Sequence, residues 1–168
     1  MWSDPDRRRM TTGESIGTND GVAVVALVVG VMLAGAAIGA LSPPDAWYRA
    51  LDKPFFNPPD WVFAPVWTVL YAMVGYAGYR AARAEGMRSS LFGLWLMQMV
   101  LNFAWTPIFF LAHSLPGASV AIVLLLAAIA MFMLEARRRV PIAFKLFIPY
   151  AAWVAFATVL TWTIWFMN

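Results

Sequence analysis

Five long stretches with almost no charge constrain this chain more than any other feature. They cover residues 21–41, 61–80, 89–111, 118–135 and 141–167. An apolar run of about 18 residues or more is long enough to cross a bilayer as a helix. The runs are continuous rather than alternating, so the pattern of a transmembrane barrel is absent. The predicted fold is an all-α membrane protein: a five-transmembrane-helix bundle. Composition agrees, with 62% hydrophobic residues and only 12% charged, against about 25% charged in a typical soluble domain. No cysteine is present, and His113 is the only histidine. Disulfides, thiolate nucleophiles and multi-histidine metal sites are thereby excluded.

Residues 1–20 are polar and lack an apolar period, and are predicted to form a disordered arm. Residues 21–168 are read as one five-helix domain. The first span is too long, and lies too far from the start, for a typical cleaved signal. Basic residues place the termini. Arg7, Arg8, Arg9, Arg80, Arg83, Arg88, Arg137, Arg138, Arg139 and Lys145 fall on one side, and only Arg49 and Lys53 on the other. Lys and Arg gather on the cytoplasmic side, so a cytoplasmic N-terminus and an external loop 42–60 are expected. The net charge of +3 belongs to this asymmetry and calls for no nucleic acid. A bacterial membrane, with the cytoplasmic membrane preferred to the outer one, is the expected location.

The connection at 42–60 contains the segment "WYRALDKPFFNPPDW" (47–61), too polar for a span and too aromatic for an ordinary solvated loop. Pro43, Pro44, Pro54, Pro58 and Pro59 stiffen it. Asp45 can cap a short helix through Trp47, Tyr48 and Leu51, which Pro54 would stop. The segment reads as a structured lid over the bundle mouth; an interfacial segment lying in the headgroups is the alternative. Pro65, Pro107 and Pro149 fall inside spans, where each frees a carbonyl and invites a kink.

Helical spacing gathers the informative side chains. Phe63, Trp67 and Tyr71 share one face of the second span. Trp95, Gln98, Asn102 and Trp105 share one face of the third, with Thr106 beside Asn102. Trp153, Ala157 and Thr161 share one face of the fifth. Trp67, Trp105 and Trp153 lie about two turns inside their spans, at or below the zone where tryptophans act as anchors. A buried indole N–H wants an acceptor. Gln98, Asn102 and Thr161 can supply one, bond helix to helix, or serve a ligand. Together these stripes fit a pocket for a flat hydrophobic molecule. Gly35 with Gly39, and Ala36 with Ala40, form small-residue pairs on the first span. Such pairs serve helix packing within a chain or between chains. His113 reads as an ordinary loop residue.

"WYRALDKPFFNPPDWVFAPVWTVLY" (47–71), "WLMQMVLNFAWTPIFF" (95–110) and "PYAAWVAFATVLTWTIWFMN" (149–168) resemble the translocator protein family, whose bacterial members are the tryptophan-rich sensory proteins. The resemblance covers roughly residues 22–168. It implies a five-helix bundle, usually a homodimer, that binds protoporphyrin IX, haem and similar flat hydrophobic ligands in a pocket beneath the first loop. Porphyrin or haem is then a ligand, and no cofactor is required. The implied ligand residues are Tyr48, Trp67, Asn102, Trp105, Trp153, Ala157 and Thr161, to which the spacing adds Phe63, Tyr71 and Gln98. Some family members are reported to degrade porphyrin in light, with the tryptophans matching Trp67 and Trp153 implicated. Thr161 stands where many members have Asn. The C-terminal cholesterol motif of animal members is absent, because no Lys or Arg follows Lys145. Three functions follow: a tetrapyrrole receptor or sensor, a photo-oxidative enzyme using Trp67 and Trp153, or a facilitator of tetrapyrrole passage. Energised transport lacks its usual mark, an ionisable residue inside a span.

Overall fold

A computed structural model describes residues 18–168. Its elements are α1 (Thr18–Leu41), α2 (Ala46–Ala50), α3 (Asp60–Glu85), α4 (Ser90–Phe110), α5 (Leu115–Arg139) and α6 (Pro141–Met167). All but α2 are long and apolar enough to cross a membrane. The shortest of the five, α4, has 21 residues and spans about 31 Å at 1.5 Å per residue, enough for a hydrocarbon core of about 30 Å. The chain is an integral, multi-pass, all-helical membrane protein. The arm expected at 1–20 lies outside the described residues up to position 17. Residues 18–20 are helical instead, because α1 starts at Thr18. Asp20 then sits in the first turn, where the helix dipole favours a carboxylate, and it pairs with Arg83 at 3.0 Å.

α5 packs along α4 and α6, α1 lies along α3, and α3 continues the ring to α6. Both α1 and α3 touch α4 more lightly. Two glycines of α3 set the close approaches. A Cβ on Gly75 would stand 2.8 Å from the Val28 Cα of α1. A Cβ on Gly78 would collide with the Trp95 indole. Glycine there lets that ring lie across α3, and its Nε1 donates to the Val74 carbonyl at 2.9 Å. Phe132 of α5 and Phe147 of α6, both fully buried, meet at 4.2 Å between ring centres.

Short connections are closed locally. Gly86 ends α3 with φ 86°, a left-handed conformation that glycine adopts without a Cβ penalty. Ser89 and Ser114 cap α4 and α5, each side chain accepting a backbone N–H at 3.2 Å. The helices run on through Pro65, Pro107 and Pro149. Pro65 and Pro107 sit at the ends of α3 and α4 that face α2. The opposite end carries Arg139, within 3.6 Å of Glu85 and 3.5 Å of Glu135.

Candidate functional site

A cavity of about 650 Å³ lies between the helices beneath α2. Its walls are aromatic. Trp67 and Tyr71 of α3 are 5.1 Å apart between ring centres, one turn apart on one face. Phe63, a turn earlier, meets Trp153 of α6 edge to face at 5.9 Å. Trp105 of α4 meets Phe110 at 6.2 Å, and Phe110 meets Tyr48 of α2 at 5.2 Å. Ile122 and Leu125 of α5 and Val154 of α6 supply aliphatic wall. Trp105 Nε1 and Trp153 Nε1 are buried and have no protein acceptor.

One polar chain runs from this cavity into the core. Tyr71 donates its hydroxyl to Asn102 Oδ1 at 2.9 Å, and Asn102 Nδ2 donates to the Tyr150 hydroxyl at 3.0 Å. Tyr150 donates in turn to Gln98 Oε1 at 2.9 Å, and Gln98 Nε2 donates to the Trp95 carbonyl at 2.9 Å. Asn102, Gln98 and Tyr150 are all buried. Buried amides left unpaired cost about 1–3 kcal/mol each, so the chain ties α3, α4 and α6 in one register. Helix-to-helix bonding therefore accounts for both Gln98 and Asn102.

The lid is pinned at both ends. Asp45 caps α2, accepting the Tyr48 N–H on Oδ1 at 3.1 Å, in accord with the sequence pattern. Its other oxygen, Oδ2, lies 3.0 Å from His113 Nε2, and the His113 ring stacks on Trp47 at 4.3 Å. His113 thus holds the lid to the α4–α5 turn, and it has a positive φ of 49° to do so. At the other end, the Asn168 side chain accepts the Asp52 N–H at 3.0 Å and donates to the Asp52 carbonyl at 3.1 Å. Between the pins Tyr48 is buried with Phe109, Leu115, Leu160 and Ile164. Burial, and then the Asp60 carboxylate, push the Tyr48 phenol above its usual pKa. The Tyr48 backbone N–H is the main cause that holds Asp45 below the usual carboxylate value, with the His113 charge contributing.

Of the residues singled out in the sequence, Tyr48, Phe63, Trp67, Tyr71, Asn102, Trp105, Trp153 and Ala157 line the cavity. Gln98 and Thr161 do not. Gln98 is drawn to Tyr150, a residue the sequence pattern did not single out. Thr161 is buried in the stretch of α6 whose Leu160 and Ile164 pack under the lid. Sequence reasoning also missed the contribution of α1, whose Met32, Ala36 and Gly39 form a wall. A Cβ on Gly35 would collide with the Tyr71 ring, whereas Gly39 has nothing within 4 Å. Both glycines line the cavity, and Gly35 also makes room for the Tyr71 ring. The small-residue spacing was the available signal, but its facing was not.

The sequence model of the TspO/MBR family matches residues 22–166. Human translocator protein is 38% identical over 123 residues, covering 71% of this chain and 73% of that protein. The tryptophan-rich protein TspO of Chlorobaculum tepidum is 37% identical over 156 residues, covering 89% of this chain and 99% of the relative. Protein CrtK of Rhodobacter capsulatus is 34% identical over 138 residues, covering 79% and 84%. With the five-helix bundle, the structured first loop and the tryptophan-lined cavity on the same chain, these matches show that it belongs to the TspO/MBR family.

Proposed function

We propose that the chain is a membrane receptor or sensor that binds porphyrin-type tetrapyrroles and similar flat hydrophobic ligands in the cavity under the lid. One observation carries this reading: Trp67, Trp105 and Trp153, from three different helices, wall one cavity of about 650 Å³. Pockets for drug-sized ligands run from about 300 to 1,000 Å³, mostly apolar with a few placed polar groups. Planar rings offer offset or edge-to-face contacts to a planar guest. The unpartnered N–H groups of Trp105 and Trp153 supply donors for a ligand's acceptors.

Titration of the purified protein with protoporphyrin IX, followed by tryptophan quenching, tests the reading. Saturable quenching is expected. Replacing Trp67 or Trp153 by Phe keeps a ring but trims contact, and is expected to weaken binding about two- to tenfold. Quenching that never saturates, or that is indifferent to both substitutions, refutes it.

The cavity position of Trp67 and Trp153 also favours a second reading, light-driven breakdown of bound porphyrin with dioxygen as oxidant. Illumination yielding a defined product in the wild type but not in Trp67→Phe supports it; bleaching equal to that in detergent alone dismisses it. Facilitated passage of tetrapyrroles would instead appear as flux across liposomes carrying the protein. The arginines at the end opposite the lid, Arg80, Arg83, Arg88 and Arg137–Arg139, support a cytoplasmic N-terminus and an external lid. A shallow apolar groove on the outer face of α4, formed by Gly93, Leu96, Met97 and Val100, is the surface on which a second copy would pack; crosslinking in membranes tests it.

A further inference from the structure

Asp60 opens α3, where a carboxylate is favoured by the helix dipole. It also lines the cavity, beside Ser42, Pro44 and Tyr48 at the lid end. No other lining side chain carries a formal charge. The cations of the lid are turned elsewhere. Arg49 donates from Nε to the Asp45 carbonyl at 3.1 Å and from Nη2 to the Pro44 carbonyl at 3.5 Å. Lys53 donates to the Leu51 carbonyl at 3.2 Å and lies 4.5 Å from the centre of the Tyr48 ring. Among the described residues no cation stands within ion-pair distance of Asp60.

The deep cavity offers an ionic group no counter-charge, only the neutral N–H groups of Trp105 and Trp153. Its walls there are Ile122, Leu125, Val154 and Ala157, and Tyr71 and Asn102 already bond each other. A charged group left unpaired in apolar surroundings is strongly disfavoured. The ionic substituents of a flat guest therefore stay at the mouth, where Asp60 is.

We propose that Asp60 is a specificity-determining residue that ranks flat ligands by the charge at their rim, favouring neutral or cationic groups over carboxylates. The proposal rests on the tetrapyrrole reading for its natural ligand, though not for its physics. Asp60 is solvent-exposed, so screening keeps the effect small. Two unit charges a few ångströms apart at such a surface change affinity by about three- to tenfold.

The test uses the full chain in neutral detergent, as wild type, Asp60→Asn and Asp60→Glu. Each protein is titrated with protoporphyrin IX and its dimethyl ester, and with pyrenecarboxylate and pyrenemethylammonium, by quenching. In Asp60→Asn the carboxylate member of each pair is expected to gain about three- to tenfold over its partner. Asp60→Glu is expected to keep the wild-type ratios, and added salt to narrow them in wild type and Asp60→Glu but not in Asp60→Asn. Ratios that agree within about twofold across all three proteins overturn the proposal. If neither porphyrin quenches saturably but the pyrene ratio shifts, the tetrapyrrole reading falls and the charge filter stands. If none of the four ligands binds, both fall. Comparing partners within one protein cancels their different partitioning into detergent, and thermal unfolding of the variants reports any loss of fold.

Discussion

Tyr150→Phe isolates the polar chain that joins three helices. The substitution keeps the ring, which packs against Trp67 and Phe147 at 6.3 and 5.4 Å between centres, and removes only the hydroxyl. Asn102 Nδ2 then loses an acceptor and Gln98 Oε1 loses a donor, at residues only 3% and 0% exposed. Net hydrogen bonds are worth about 0.5–1.5 kcal/mol, more when a buried partner is left unpaired. Polar bonds between membrane helices average about 0.6 kcal/mol and reach about 1.7. Two such losses give an expected destabilisation of about 1–3 kcal/mol. Tyr71→Phe breaks the chain only at its cavity end and is expected to cost about 0.5–1 kcal/mol, since Asn102 keeps Tyr150. Equilibrium unfolding in mixed micelles, followed by far-ultraviolet circular dichroism, measures both. Combining Tyr150→Phe with Gln98→Met removes donor and acceptor together. The double variant is expected to be about 1 kcal/mol more stable than the sum of the single effects predicts. A Tyr150→Phe protein within about 0.3 kcal/mol of wild type, or strict additivity in the cycle, refutes the coupling.

Gly78→Leu places a side chain against the Trp95 indole and breaks its bond to Val74; overpacking of this kind costs about 1–3 kcal/mol, read as a lower unfolding midpoint. Asn168→Ala removes both bonds to Asp52; faster hydrogen exchange over residues 52–57 with little change in global stability is expected, and unchanged exchange would show that apolar packing alone holds the lid. Because the Asp45 pKa is lowered in the folded protein, its contribution to the lid is present above the ordinary carboxylate value of 3.8 and is lost as pH falls through the lowered one. Exchange over residues 46–51, corrected for its intrinsic pH dependence, is therefore expected to rise as pH falls below 3.8. Asp45→Asn keeps a capping amide at every pH and should flatten that response.

Much of this architecture is one-dimensional information. A span is a run of apolar residues of bilayer length, and a run is visible without coordinates, as for residues 89–111 and α4. The lid helix was legible for the same kind of reason, because a cap at Asp45 and a stop at Pro54 act within a few residues of chain. Trp67, Trp105 and Trp153 stood out because depth within a span can be counted. Facing could not be counted. α1 is apolar all round, so no period marks which side meets its neighbours, and its wall of the cavity went unseen. Gly35 and Gly39 look alike in sequence, yet Tyr71 closes on one and the other borders open space. Gln98 and Asn102 lie one turn apart with the same amide. Only the approach of α6, which brings Tyr150 between them, decides that Gln98 is taken up wholly by the core while Asn102 also borders the cavity. Hydropathy and local hydrogen bonding are properties of the chain itself, whereas the direction in which an amide, an indole or a missing Cβ is used depends on which helix arrives beside it.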